Sequence, residues 1–111
     1  MVDTTHARDT IFALSSGSQR AAVAVIRVSG PQAATALERL AGRLPKPRYA
    51  AMRVLRECPD GPVLDQALVL WLPGPNSETG EDVTELQVHG SRAVVAAVYR
   101  VLGALPGFRL A

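Results

Sequence analysis

Cysteine and aromatic residues are scarce in this chain of 111 residues. The single cysteine, Cys58, excludes a disulfide within the chain and a metal site built from several cysteines. Aromatic residues make up 5% of the sequence, so few flat side chains are present on which nucleic-acid bases could stack. Disulfide-stabilised scaffolds and multi-cysteine metal centres are therefore not expected.

Long apolar runs and a strong charge excess are missing as well. No run approaches the roughly 20 residues of a membrane-spanning helix, and the polar lead over residues 1–8 lacks the apolar core of a secretory signal. The formal net charge is only +2, which is not a nucleic-acid signal in itself. Hydrophobic residues make up 48% and charged residues 20%, so we expect one globular, cytoplasmic domain with no membrane partner.

Short β-branched runs and two amphipathic stripes predict the secondary structure. We predict strands at Thr10–Leu14, Ala21–Val28, Tyr49–Glu57, Leu64–Leu72 and Val83–His89, helices at about 31–41 and from 92 to about 105, and the start of another strand at Phe108. Ser29 or Gly30 is expected to cap the first helix and Ser91 the second. The segment Ala67–Leu72 is apolar on both faces, which predicts an interior strand covered on both sides. The order β2-α-β3-α predicts an α+β fold with a mostly antiparallel sheet.

The charges are segregated along the chain. Five basic residues, Arg43, Lys46, Arg48, Arg53 and Arg56, follow one another with no acid among them. They indicate either an arm that binds RNA phosphates or the solvated face of a hairpin. The second interpretation is the simpler one and is favoured here.

Two charged residues stand in otherwise apolar strands. Glu85 lies among Val83, Leu86 and Val88, and Arg27 lies in a run of alanine and valine. A charge in such a strand is costly unless it is paired. The pattern predicts either a structural ion pair between the two or a ligand site, in which the carboxylate accepts N–H groups and the arginine contacts an anion or carbonyl.

The sequence gives little support for a metal site, a nucleophilic catalytic site or a phosphate-binding loop. Glu81, Asp82, Glu85 and His89 could offer metal ligands, but strand alternation sends Asp82 away from Glu85 and His89. Serines 15, 16 and 18 have no evident histidine and aspartate partners, and no phosphate-binding loop is present. We therefore expect no catalysis and no nucleotide hydrolysis by this chain alone.

Five ordered motifs carry a family resemblance: Asp9–Ser15, Val25–Pro31, Leu44–Arg48, Pro73–Ser77 and Thr79–Val83. Over residues 9–111 the chain resembles the N-terminal domain of the tRNA modification GTPases of the MnmE (TrmE) family. The chain stops soon after Phe108, and we expect it to be a domain truncated at its C-terminus and cut from a longer protein, with the helical and GTPase domains absent.

The resemblance implies half of a tetrahydrofolate-binding fold like that of the glycine-cleavage T-protein. Two such domains would form a homodimer and bind formyl-tetrahydrofolate at their interface, as the one-carbon source for modification of a tRNA wobble uridine. The longer protein would hydrolyse GTP, with GTP, Mg and K sites outside this chain, and would act with an MnmG-type flavoprotein.

The resemblance also carries over site residues. It places folate contacts at Arg27 and Glu85, the two charges that stand in apolar strands. Weaker contacts are expected from Gln87, Asn76, Thr79 and Arg20. A dimerisation module without a ligand and a tRNA-contacting domain acting through Arg43–Arg56 remain the alternatives.

Three departures from the family pattern affect the loops rather than the two anchors. The loop at residues 16–22 lacks most of the usual prolines and glycines, Glu78 stands where phenylalanine is usual, and Ser91 stands where a second glycine is usual. A further family contact, a lysine, is expected beyond Ala111.

Overall fold

Six strands and two helices make up the described part of the chain. The computed structural model describes residues 9–14, 23–77 and 79–111. In chain order the elements are β1 (Thr10–Leu14), β2 (Val23–Ser29), α1 (Ala33–Ala41), β3 (Ala51–Arg56), β4 (Val63–Leu72), β5 (Val83–His89), α2 (Arg92–Gly103) and β6 (Phe108–Leu110). The α+β class is confirmed.

The strands form one sheet in the order β3-β4-β5-β2-β1-β6. The pairs β1–β2, β2–β5, β3–β4 and β4–β5 are antiparallel. The pair β1–β6 is parallel, with Thr10 opposite Phe108, so the sheet is mixed. A parallel neighbour needs a long crossover, and β6 is reached only after α2.

The hydrophobic core lies on one face of the sheet. Alternate residues of β2 and β5 are buried there, for example Ile26 on β2 and Leu86 on β5. Leu40 of α1 and Leu102 of α2 belong to the same cluster. Both helices therefore cover the same face.

The opposite side is the open face, defined by Val25, Arg27, Leu68, Leu70, Glu85 and Gln87. These side chains are half-buried, because no described helix packs on them. The interior position of β4 is confirmed. The prediction that this strand is covered on both sides is wrong for the described part of the chain, since the two helices, of nine and twelve residues, both pack on the other face.

The predicted cap is found at the start of α2 but not at the start of α1. The Ser91 side chain accepts a hydrogen bond from the Val94 amide and caps α2, as predicted. The first helix begins later than predicted, at Ala33, and Gln32 occupies its N-cap position without a side-chain cap. Ser29 does not cap it, because its hydroxyl is bonded to Thr79, 2.8 Å away.

Strand β3 is shorter than predicted because the chain turns before it. The Tyr49 amide donates to the Lys46 carbonyl, and the extended run starts at Ala51. Within residues 9–14, 23–77 and 79–111, neither helix has the length and apolar character needed to cross a membrane.

Candidate functional site

Arg27 and Glu85 meet at the centre of the open face. They are directly paired in the register of β2 and β5. Arg27 Nε donates to Glu85 Oε1 over 3.1 Å, and the side chains are 40% and 14% exposed, respectively. The structure thus brings together the two residues that the sequence singled out.

Gln87 extends this pair into a polar triad (Arg27, Glu85 and Gln87). Gln87 Nε2 donates to Glu85 Oε2 over 2.9 Å. Each carboxylate oxygen therefore accepts one bond from a fixed donor. A carboxylate has about four acceptor positions in all, so Glu85 keeps the capacity to accept further N–H groups.

Apolar side chains surround the polar triad on the open face. Ala13 is opposite Arg27, Leu70 is opposite Glu85, and Val25 and Leu68 are both opposite Gln87. A partly buried carboxylate held by two donors within an apolar frame is suited to recognise the N–H edge of a flat, polar ligand. The local chemistry is therefore that of binding.

A shallow pocket of about 170 Å³ continues the open face beyond Gln87. Its lining includes Val23, Met52 and Leu68 as well as His89. His89 is held from two sides by Asp65: its amide donates to Oδ2 over 2.8 Å, and its Nδ1 lies 2.6 Å from Oδ1. Sequence reasoning missed this pair, because the two residues are separated by 24 positions.

Residues 73–77 and 79–82 are tied to the strand that carries Arg27. Ser29, on the same face as Arg27, contacts the hydroxyl of Thr79, and the Gly30 amide donates to the Asp82 carbonyl over 3.0 Å. The Asp82 side chain in turn accepts from the Gly74 amide over 2.9 Å. Thr79 is thereby placed at the end of β2.

The structure does not place the remaining predicted folate contacts beside the polar triad. Asn76 is exposed in the same loop. Arg20 and the loop at residues 16–22 lie outside the described residues. The structure therefore unites Arg27, Glu85 and Gln87 and places Thr79 near the end of the Arg27 strand.

Three of the four residues considered as metal ligands are engaged elsewhere. Asp82 holds Gly74, Glu85 holds Arg27 and Gln87, and His89 is paired with Asp65. Among the described residues, no three potential metal ligands come together.

Comparison with known proteins identifies the family of this chain. Residues 10–111 match the family model described as "GTP-binding protein TrmE N-terminus". Proteins named tRNA modification GTPase MnmE are 58% identical over 103 residues in Novosphingobium aromaticivorans and 59% identical over 103 residues in Erythrobacter litoralis, each covering 93% of this chain. The similar protein of Rhodospirillum rubrum is 56% identical over 113 residues and covers 91%.

The match concerns one part of those proteins. The aligned region spans 24% of the Novosphingobium and Erythrobacter proteins and 25% of the Rhodospirillum protein. The aligned share of this chain is above nine-tenths in each case. The chain belongs to the TrmE N-terminal domain family.

Proposed function

We propose that this domain binds a reduced folate, formyl-tetrahydrofolate, on the open face of its sheet, at the interface between two copies. The observation that carries the proposal is the polar triad, in which Glu85 is held by Arg27 on one oxygen and by Gln87 on the other. When bound, the folate would supply a one-carbon unit.

Glu85 would hold the pterin. The amino group and ring N–H of a pterin present two donors side by side, and a carboxylate is the matching acceptor. The side chain of Glu85 is 14% exposed, so an added hydrogen bond would form in a partly desolvated environment. Its two existing donors fix the orientation before the ligand arrives, which lowers the entropic cost of binding.

Arg27 would contact an oxygen of the ligand. Its side chain is 40% exposed and is held at Nε by Glu85, so the guanidinium is oriented along the open face. Leu70 and Leu68 beside the triad would lie against the flat ring. The charged and apolar side chains present therefore fit the polar edge and the flat ring of a reduced folate.

A second copy of the chain is the partner that the open face supports. Leu68, Leu70 and Leu72 are only half-buried, and covering them would remove apolar surface from water. A ligand bound at the triad would then lie between two layers rather than on an open sheet. The domain would serve both as a dimerisation module and as a folate site.

The relatives' name, tRNA modification GTPase MnmE, supports a role for the domain within a longer protein. We propose that the domain presents the one-carbon donor for modification of a tRNA wobble uridine, together with an MnmG-type flavoprotein. GTP hydrolysis, with its Mg and K, would occur outside this chain. Cytoplasmic localisation is part of the same proposal.

Calorimetric titration with formyl-tetrahydrofolate tests the site. We expect binding that is lost in Glu85→Ala and in Arg27→Ala and retained in Glu38→Ala, an exposed carboxylate on α1 that serves as the matched control. The titration is run on this chain and on a longer chain that includes the downstream segment. Binding that persists in both site variants would refute the assignment of the triad.

A size measurement, combined with unfolding with and without folate, separates the ligand site from the ligand-free alternative. A folate site predicts that saturating ligand stabilises the dimer, by about 2.7 kcal/mol at one hundred times the dissociation constant. A dimer that gains no stability from folate, even in the longer chain, would instead identify a pure dimerisation module.

A further inference from the structure

We propose that a basic edge of this domain, formed by Arg43, Lys46, Arg48 and Arg53, binds the phosphate backbone of RNA. The proposal is independent of folate binding, since these residues lie on the α1–β3 connection and on the outer strand β3 rather than around Glu85. A second copy bound to the open face would not have to contact the basic edge.

Main-chain contacts hold the basic edge together. The Arg53 guanidinium donates to the Arg43 carbonyl, which joins the strand to the connection before it. Arg48 is fixed twice, because its amide donates to the Trp71 carbonyl over 2.9 Å and its Nη2 to the Pro73 carbonyl over 3.1 Å. The guanidinium groups of Arg48 and Arg53 are therefore oriented in advance.

The charge of the basic edge is not neutralised by the described part of the chain. Arg48 and Arg53 donate to carbonyl oxygens, which orient a guanidinium without cancelling its charge. Arg27, Arg100 and Arg109, in contrast, each pair with a carboxylate. Among residues 9–14, 23–77 and 79–111, no carboxylate lies within ion-pair distance of the four cations.

Arg56 does not belong to the basic edge, although the sequence groups it there. It donates to the Gly61 carbonyl in the β3–β4 turn, over 2.9 Å. That turn also carries Asp60, and Glu57 follows directly on Arg56. Nearby acidic residues thus offset the positive charge at this end of β3. The excess of positive charge is confined to the other end of the strand.

RNA fits this surface better than a generic anion does. Guanidinium groups bind phosphate in a planar, bidentate manner, and three of the four cations are arginines. Tyr49 is 60% exposed, and Lys46 Nζ lies 4.5 Å from its ring centroid. One ring can stack on one base, so the affinity is expected to come from phosphates, with little sequence preference.

A labelled RNA hairpin, titrated by fluorescence anisotropy, tests the proposal on this chain. Four phosphate contacts predict that affinity falls roughly 50- to 150-fold between about 50 and 200 mM salt. The double variant Arg43→Gln, Lys46→Gln is expected to bind at least about tenfold more weakly at low salt and to reduce the logarithmic salt slope by about 2. Neither side chain donates a hydrogen bond to the described part of the chain, so the fold should persist.

The matched control is Arg92→Gln, Arg100→Gln, which removes two exposed charges from α2. Its RNA affinity should stay within about twofold of the parent chain. Equal weakening by both double variants, a flat salt dependence, or no binding at about 50 mM salt would overturn the proposal. If the double variant Arg43→Gln, Lys46→Gln weakens binding to anionic phosphatidylserine vesicles more than binding to RNA, the proposal is overturned in favour of a membrane surface.

Discussion

Arg27 and Glu85 lie opposite each other on neighbouring antiparallel strands, and the guanidinium Nε donates to the carboxylate over 3.1 Å on the face of the sheet that carries no described helix. The pair is neither a solvated surface contact nor part of the core. The carboxylate is largely covered, whereas the arginine side chain is 40% exposed. The pair should therefore contribute only modestly to the free energy of unfolding. Its importance lies in where it places the two charges on the open face.

A double-mutant cycle measures that energy. With Arg27→Met and Glu85→Gln, we expect a coupling of about 0.2–1 kcal/mol in the free energy of unfolding, because solvent screens the exposed guanidinium. Urea denaturation of the four proteins gives the value. In a control cycle of Arg27→Met with Arg100→Met, the effects should add within about 0.5 kcal/mol. A coupling above about 3 kcal/mol would mean that the pair behaves as fully buried.

Two glycines with positive φ are expected to respond very differently to alanine. A Cβ on Gly30, at φ 142°, would lie 2.7 Å from Thr10 Cα and 2.8 Å from the Asp9 carbonyl oxygen. Both are main-chain atoms that cannot move aside, so Gly30→Ala should cost about 3 kcal/mol or more. A Cβ on Gly42, at φ 83° and ψ −139°, would meet no described atom within 4 Å, so Gly42→Ala should cost only the strain of a backbone conformation that other residues rarely adopt, about 1–3 kcal/mol. Thermal unfolding of both variants checks the ranking, and equal costs would contradict it.

Features with a local signal were predictable from the sequence. The bounds of β1 and β5 match their predicted ranges, because turn-forming residues flank each run of strand-forming residues. Strand alternation also placed Glu85 and Gln87 on one face. The serine before α2 fulfils its predicted capping role.

Features that depend on distant contacts were not predictable. Ser29 stands before a helix, yet it bonds Thr79, 50 positions away, and the helix starts without its help. Asp65 and His89 meet only because β4 and β5 are neighbours. The open face itself depends on where both helices pack, which residue spacing within one strand does not reveal.

The cap on α2 gives a local stability test. Ser91→Ala removes the side-chain acceptor of the Val94 amide, 3.2 Å away, and should lower the free energy of unfolding by about 1 kcal/mol. Ser91→Asp restores an acceptor at the same helix end and should recover the loss, because a negative charge is also favourable there. Chemical denaturation of the three proteins measures both effects. A neutral Ser91→Ala variant would show that the amide is solvated equally well by water.

Gln87 offers the sharpest test of how the triad acts. Gln87→Leu removes the donor that holds Glu85 Oε2 but leaves the Arg27 bond to Oε1 intact. If Gln87 orients the carboxylate for a folate, calorimetry should show about tenfold weaker binding, equal to about 1.4 kcal/mol, with the fold unchanged. Gln66→Leu is the control, since Gln66 lines the adjacent pocket without bonding Glu85. A loss confined to Gln87→Leu would identify the fixed carboxylate as the recognition element, whereas equal losses would move the site away from Glu85 and into the pocket beside His89.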